Sequence, residues 1–255
     1  MMWVVHTQRS TSQLRLPLPW VSASGMWILT VGYLALVLAA CLVALVHSAV
    51  SPEWHTTGVD AQVAGALAAD RNPALLRVLQ TLSLLGKVWV VGPLVTLVGV
   101  VAWRRTGSWN TFWLPVLAGA GGLAISVVVK FLVNRPRPPL EIATIEAFGP
   151  SYPSGHAIRA TAVYAALAWL VTASTRRRAV PSVAWLTAVL IAVAVGFARL
   201  YEGAHWLVDV LVGYGIGAGW LLVVLVAGGL LPATTTAAHR SSQRGRHLAR
   251  RSSGH

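Results

Sequence analysis

Along this chain, apolar residues collect in long blocks and polar residues in the short gaps between them. Met26 to Val50 is a run of 25 residues without Lys, Arg, Asp or Glu. Val78 to Trp103 is broken only by Lys87, and Phe112 to Val133 carries Lys130 near its end. His156 to Ala173 holds Arg159 in its first turn, Val180 to Ala198 has no charge, and Trp206 to Leu231 holds Asp209 in its first turn. About 20 apolar residues cross a hydrocarbon core as a helix. The pattern therefore predicts six transmembrane helices, an all-α polytopic fold. Trp27, Trp103, Trp109, Trp113, Trp185 and Trp206 lie near block ends, where indoles favour the headgroup zone. Gly119, Gly121 and Gly122, then Gly213, Gly215, Gly217 and Gly219, permit close helix approach.

The gaps differ in charge. Arg9 and Arg15, Arg104 and Arg105, Arg176 to Arg178, and Arg240, Arg244, Arg246, Arg250 and Arg251 fall in alternate gaps and tails. Those segments hold 12 of the 20 basic residues and no acid. Glu53, Asp60, Asp70, Glu141, Glu146, Glu202 and Asp209 fall in the other gaps or in the block ends facing them. The positive-inside rule then puts both termini in the cytoplasm and the segments around 51–77, 134–155 and 199–205 outside. The expected organisation is a cytoplasmic tail over 1–25, a membrane domain over 26–231 and a basic, disordered cytoplasmic tail over 232–255. Val59 to Asp70 reads as a short amphipathic outer helix, and Asn72-Pro73 starts the next one. Leu38-Ala39-Ala40-Cys41 resembles a lipoprotein cleavage box, but the apolar run is too long for an ordinary signal peptide and reads better as an anchor.

Composition removes other classes. Hydrophobic residues are 56% of the chain and charged residues 11%, with a mean hydropathy of +0.66. Soluble domains are nearer a quarter charged, so an ordinary soluble enzyme and a disordered chain are excluded. One cysteine, Cys41, leaves no disulfide framework. The net charge of +13 hints at nucleic acid, but a soluble basic face is missing, and the arginine runs are topology signals and lipid contacts.

Charge inside a span is costly and needs a reason. Lys130 and Arg137 lie at and beyond the outer end of the third block; Ser154 and His156 start the fourth from outside; Arg199 ends the fifth outside; His205 and Asp209 start the sixth there. Three cations at one level form an anion site, and an Arg fork matches phosphate oxygens. Pro153-Ser154-Gly155-His156 places unpaired N–H groups of a helix start, and a glycine that allows close approach, at the same level. His205 and Asp209 share a helix face four residues apart, so the carboxylate can hold one ring nitrogen and leave the other to attack. His156 is placed to protonate a leaving oxygen. Phosphoryl transfer through a phosphohistidine uses all of these parts.

Lys130-x6-Arg137-Pro138, Pro153-Ser154-Gly155-His156 and Arg199-x5-His205-x3-Asp209 resemble the three motifs of the type 2 phosphatidic acid phosphatase superfamily, in its bacterial branch. The resemblance runs from about Val59 to Gly219. It implies a catalytic core in the last four helices, His205 as nucleophile, Asp209 as its orienter and His156 as general acid. It also implies phosphate binding by Lys130, Arg137, Ser154, Gly155 and Arg199. One departure is Ala198, where the family often has Ser before the motif arginine.

Several readings stay open here. Arg135 touches either phosphate or lipid headgroups. Glu202 either positions a hydroxyl or water or is merely solvated, and the second is the expectation. Arg159 pairs with an acid or lines the site, and Lys87 snorkels to the outer interface. A metal held by two His and one Asp is disfavoured by three nearby cations, so no metal and no cofactor is expected. The expected activity is hydrolysis of a lipid phosphate or pyrophosphate at the outer leaflet, with a polyprenyl pyrophosphate favoured and phosphatidic acid or phosphatidylglycerophosphate next. A phosphotransferase with the same site and a transporter of phosphorylated lipids are the alternatives.

Overall fold

In the computed structural model, residues 58–228 are described, apart from 176 and 178. The first predicted span, Met26 to Val50, the Cys41 motif, Arg240 to Arg251 and both tails lie outside the described residues. Among the described residues seven α-helices follow one another: α1 Val59–Ala69, α2 Pro73–Ser83, α3 Val88–Thr106, α4 Trp109–Val133, α5 Gly155–Ser174, α6 Ala179–Tyr201 and α7 Leu207–Ala227. A single 3-10 turn, Leu84–Gly86, joins α2 to α3. Helices α3 to α7 are long and apolar enough to cross a membrane, and α1 and α2 are shorter. Helices are required because lipid offers no partner for a free backbone N–H or C=O.

Local signals set the boundaries. Asn72 caps α2 by accepting N–H bonds from Ala74 (2.8 Å) and Leu75 (3.1 Å), with Pro73 inside the first turn. Helix α3 stops at Gly107, whose φ of 70° is a left-handed conformation that glycine adopts without strain. Arg104 and Arg105 occupy the last turn of α3, and Lys130 that of α4.

The second predicted span needs correction. Residues Val78 to Gly86 belong to α2 and the 3-10 turn, and the spanning helix begins only at Val88. Lys87 is thus not within a span. It is the extended residue at the break, with its ammonium 5.5 Å from the Trp89 ring centroid. Packing is tight at the break: a Cβ on Gly86 would lie 2.8 Å from Val195 Cγ1 and 2.9 Å from His156 Cδ2. The last span ends at Ala227, short of the expected Leu231.

Helix α5 is the hub. It packs against α4, α6 and α7, while α3 packs on α4, α2 on α6, and α1 on both α6 and α7. Alanines make this possible. Ala160, Ala168, Ala188 and Ala192 line the α5–α6 seam, and Ala118, Ala162 and Ala166 share a cluster with Leu114, Trp169 and Leu221 between α4, α5 and α7. In lipid, close backbone approach replaces the hydrophobic effect as the source of helix association. The expected role of Gly213 and Gly217 is met at the α5–α7 crossing. A Cβ on Gly217 would come within 2.5 Å of the Ile158 carbonyl oxygen, and one on Gly213 within 2.9 Å of Ala157 Cβ. Apolar side chains such as Leu97, Leu186, Leu190 and Val193 point outward.

The C-terminal ends of α2, α4 and α6 meet the N-terminal ends of α3, α5 and α7 at one end of the bundle, which is where the ionisable residues gather. Gly217→Leu forces α5 and α7 apart, and overpacking of this kind costs about 1–3 kcal/mol. The expected outcome is a lower thermal unfolding midpoint in detergent micelles; an unchanged midpoint would show that this crossing does not set the helix distance.

Candidate active site

Helix α7 begins with the residue that organises the site. Asp209 is fully buried, in the first turn. Its Oδ2 accepts the Trp206 N–H at 3.0 Å, an amide that has no partner within the helix, and faces His205 Nδ1 at 3.4 Å. Its Oδ1 accepts from Arg135 Nη1 at 2.8 Å. With Nδ1–H held by the carboxylate, Nε2 is the free ring atom of His205, and it lies 3.5 Å from Arg137 Nη1. His205 stands just before α7, in a turn made by Gly203. A φ of 67° and the Ile142 carbonyl 2.6 Å from any added Cβ leave room only for glycine there.

The segment between α4 and α5 supplies cations. Lys130 Nζ donates to the carbonyls of Pro150 (2.5 Å) and Ser151 (3.1 Å). Arg137 donates to the carbonyls of Gly149, Ala204, Phe148 and Pro150. Burial and the neighbouring Arg199 lower Arg137 to about 10, so it remains a cation at neutral pH. From α6, Arg199 Nη1 donates to Ser83 Oγ at 3.2 Å and pairs with Glu202.

Helix α5 enters with its free amides toward the same place. Its first intrahelical bond runs from Ile158 N–H to the Ser154 carbonyl, which leaves the Gly155, His156 and Ala157 N–H groups beyond the helical pattern. Ser154 N–H is spent on the Asp209 carbonyl at 2.9 Å. Gly155 is demanded by space, since a Cβ would fall 2.7 Å from Ser126 Oγ and 3.2 Å from Arg159 Nη1. Among the described residues, the buried polar atoms without a partner include three at this end of the bundle, Ser154 Oγ, His156 Nε2 and Arg199 Nε, besides atoms of Arg71 and Thr161. A buried polar atom without a partner is costly, and three from the predicted phosphate-binding and acid residues point to an anionic ligand.

Lys130, Arg137, Ser154, Gly155, His156, Arg199, His205 and Asp209 are thus all at one end of the bundle. Two expectations are corrected. Glu202 is not a solvated loop carboxylate. It is 2% exposed and paired with Arg199, and burial raises its pKa against that partner. Arg135 is not at a surface where lipid headgroups would reach it. It is 1% exposed and bridges Asp209 and Asp60, over the Trp206 ring. Among the described residues Arg159 has no acid partner; its Nε donates to the Gly86 carbonyl at 3.0 Å. Sequence reasoning missed Asp60, Ser83 and Ser126, whose spacing from the motifs carries no signal. Among the described residues no three His, Cys, Asp or Glu side chains are grouped to hold a metal.

Known proteins show the same arrangement of helices. A solved transmembrane PAP2-type phosphatidylglycerolphosphate phosphatase from Bacillus subtilis superposes with a TM-score of 0.68 at 23% identity, over 78% of this chain and 98% of that one. LpxE of Aquifex aeolicus superposes with a TM-score of 0.54 at 20% identity, over 68% of this chain and 98% of that one. In sequence, the chain is 30% identical to phosphatidylglycerophosphatase B of Bacillus subtilis (strain 168) over 182 residues, 68% of this chain and 86% of the relative. Residues 111–230 match the model of the PAP2 superfamily. Motif residues, helix order and relatives agree: the chain belongs to the PAP2 superfamily and is a multi-pass membrane phosphatase.

Proposed function

We propose that this chain hydrolyses a lipid phosphate monoester at the extracytoplasmic face of the membrane through a phosphohistidine on His205. The observation that carries the reading is the His205–Asp209 pair, whose geometry presents Nε2 beside Arg137. Lys130, Arg137 and Arg199 with the α5 amides clamp the phosphoryl oxygens and stabilise the charge that develops on them. His205 Nε2 attacks phosphorus as the bond to the lipid oxygen breaks, and His156 Nε2 gives that oxygen its proton. Water then attacks phosphorus as His156 takes its proton, the phosphorus–nitrogen bond breaks with its electron pair returning to His205 Nε2, and inorganic phosphate leaves. Ala198 is fully buried in a cluster with Leu79 and Tyr201, so the missing hydroxyl is replaced by packing. No metal enters this scheme, since the side-chain cations supply the positive charge.

The clamp reads phosphate, and the lipid is read by apolar surface. The polyprenyl pyrophosphate favoured by the sequence now ranks behind phosphatidylglycerophosphate, the lipid phosphate in the name of the curated relative. The orientation rests on charge: Arg104, Arg105 and Arg177 lie at the bundle end away from the site.

Turnover of a panel of lipid phosphates by the purified protein, with EDTA present, tests the reading. Rapid release of phosphate from phosphatidylglycerophosphate is expected; release only from polyprenyl pyrophosphate would reverse the ranking, and loss of all activity in EDTA would remove the metal-free scheme. His205→Ala is expected to lower kcat by about 10³-fold or more and to yield no acid-labile phosphoenzyme. His156→Ala is expected to slow phosphoenzyme formation by about 10²–10⁴-fold; normal burst kinetics would remove its role as acid. The pH profile is a further check. Burial lowers His205 to about 4, with Arg199 and Arg137 acting the same way and Asp209 opposing them. Only the neutral ring attacks, so kcat/KM is expected to hold down to about pH 4 and fall below it. A fall centred near the ordinary histidine value of 6.5 would contradict this environment.

A further inference from the structure

Helix α1 packs on α6 and α7 at the site end of the bundle, and the superfamily match at residues 111–230 does not include it. Its first turn carries Asp60, which is 7% exposed. An acid in a first turn ordinarily favours the start of its own helix. The carboxylate turns to the catalytic end of α7 instead. Oδ1 accepts the Val208 N–H at 3.0 Å, one of the amides that α7 leaves without an internal partner. Oδ2 accepts from Arg135 Nη2 at 2.7 Å, and Arg135 Nη1 donates to Asp209 Oδ1 at 2.8 Å. A chain of buried charges thus runs from α1 through the α4–α5 segment to the residue that holds the His205 ring.

We propose that Asp60 is a positioning residue of the catalytic site, which acts through Arg135 to fix the Asp209 carboxylate against His205. This rests on the reading of His205 as nucleophile and Asp209 as its orienter. The physical reason is charge balance in a dry site. Arg135 and Asp209 are fully buried as side chains and Asp60 nearly so. Alone, Arg135 draws the Asp209 carboxylate toward itself and away from His205. With Asp60 on its other side, the guanidinium is neutralised from the far end, and Asp209 keeps its charge available to the ring. The Val208 bond fixes the start of α7 in the same stroke. Breaking a buried pair by removing one member leaves an uncompensated charge, so the effect of Asp60 is not confined to its own contacts.

The test is a double-mutant cycle on kcat, with inhibition by inorganic phosphate as the measure of the clamp. Asp60→Asn is expected to lower kcat by about 10- to 100-fold, the range found when hydrogen-bond partners that orient metal-binding side chains are removed. Inhibition by inorganic phosphate is expected to be unchanged, because the clamp residues are not touched. If Asp60 acts through Asp209, the Asp60→Asn/Asp209→Asn protein is no slower than Asp209→Asn alone. A purely structural role predicts losses that multiply, and multiplied losses would overturn the proposal, as would full kcat in Asp60→Asn. The acid limb of kcat/KM gives an independent readout. The charged groups around His205 are Asp209 on α7, Arg135 and Arg137 on the connecting segment, Arg199 on α6, His156 on α5, Lys130 on α4 and Asp60 on α1. Removing the one negative charge of Asp60 leaves Arg135 unbalanced, so the limb is expected to move to lower pH; a limb that stays in place speaks for mere structure. Asp60→Asn/Arg135→Gln removes both members of the outer pair and serves where the single variant does not fold. It too is expected to lose kcat with phosphate inhibition retained, and wild-type kcat in it would sink the idea. An active Asp60→Asn beside an inactive His205→Ala would refute this inference alone, whereas an active His205→Ala would refute the nucleophile itself.

Discussion

A single ionised carboxylate, taken wholly out of water, is the constraint on which the candidate active site of this molecule depends. An isolated carboxylate in an apolar bundle costs far more than a fold can supply, so Asp209 exists only because donors surround it. Those donors come from different places: the Arg135 guanidinium, the Trp206 amide and the His205 ring. The main chain of the same residue binds the Ser154 amide. Asp209 therefore ties the connecting segment, the start of α5 and the start of α7 to one point. The ring of His205 and the amides of α5 are placed relative to each other by that tie.

Around it, the cations are fixed in advance. Lys130 and Arg137 are held by backbone carbonyls, and Arg199 by Ser83 and the Glu202 carboxylate. Carbonyl acceptors orient a cation without cancelling its charge, which keeps Lys130 and Arg137 available to an anion. Arg199 differs, because its partner is itself charged. Side chains that are already ordered lose little entropy on binding, and their dipoles need no rearrangement as charge develops.

Much of this was legible in the chain. Spans three to five were visible as apolar runs within a few residues of α4, α5 and α6, and Asn72-Pro73 marked the start of α2. The motif spacings brought eight chemical residues to one level, and the structure places them there. What escaped depends on contacts between distant segments. Asp60 meets Arg135 across 75 positions, and Ser83 meets Arg199 across 116, so no local pattern announces either. Glu202 looked solvated because its neighbours in sequence form a loop, yet residues 142–144 fold over that turn, with Thr144 bonded to the Glu202 carbonyl. The second block reads as one span because apolar residues flank Gly86-Lys87 on both sides, whereas the break sits where the His156 ring and Val195 pack on Gly86, a contact no local pattern shows.

The break between α2 and α3 has its own effect on the interior. A continuous helix would keep its carbonyls for the amides four residues on. Here the last turn ends inside the bundle, and two of its oxygens turn to α5: Leu85 takes the Tyr164 hydroxyl at 3.1 Å, and Gly86 takes Arg159 Nε. An interrupted helix thus serves as an uncharged ligand for a buried guanidinium one turn below Gly155. The cation is held by a dipole and keeps its full charge, so the floor beneath the Ser154–Gly155 turn stays positive without an acid beside it.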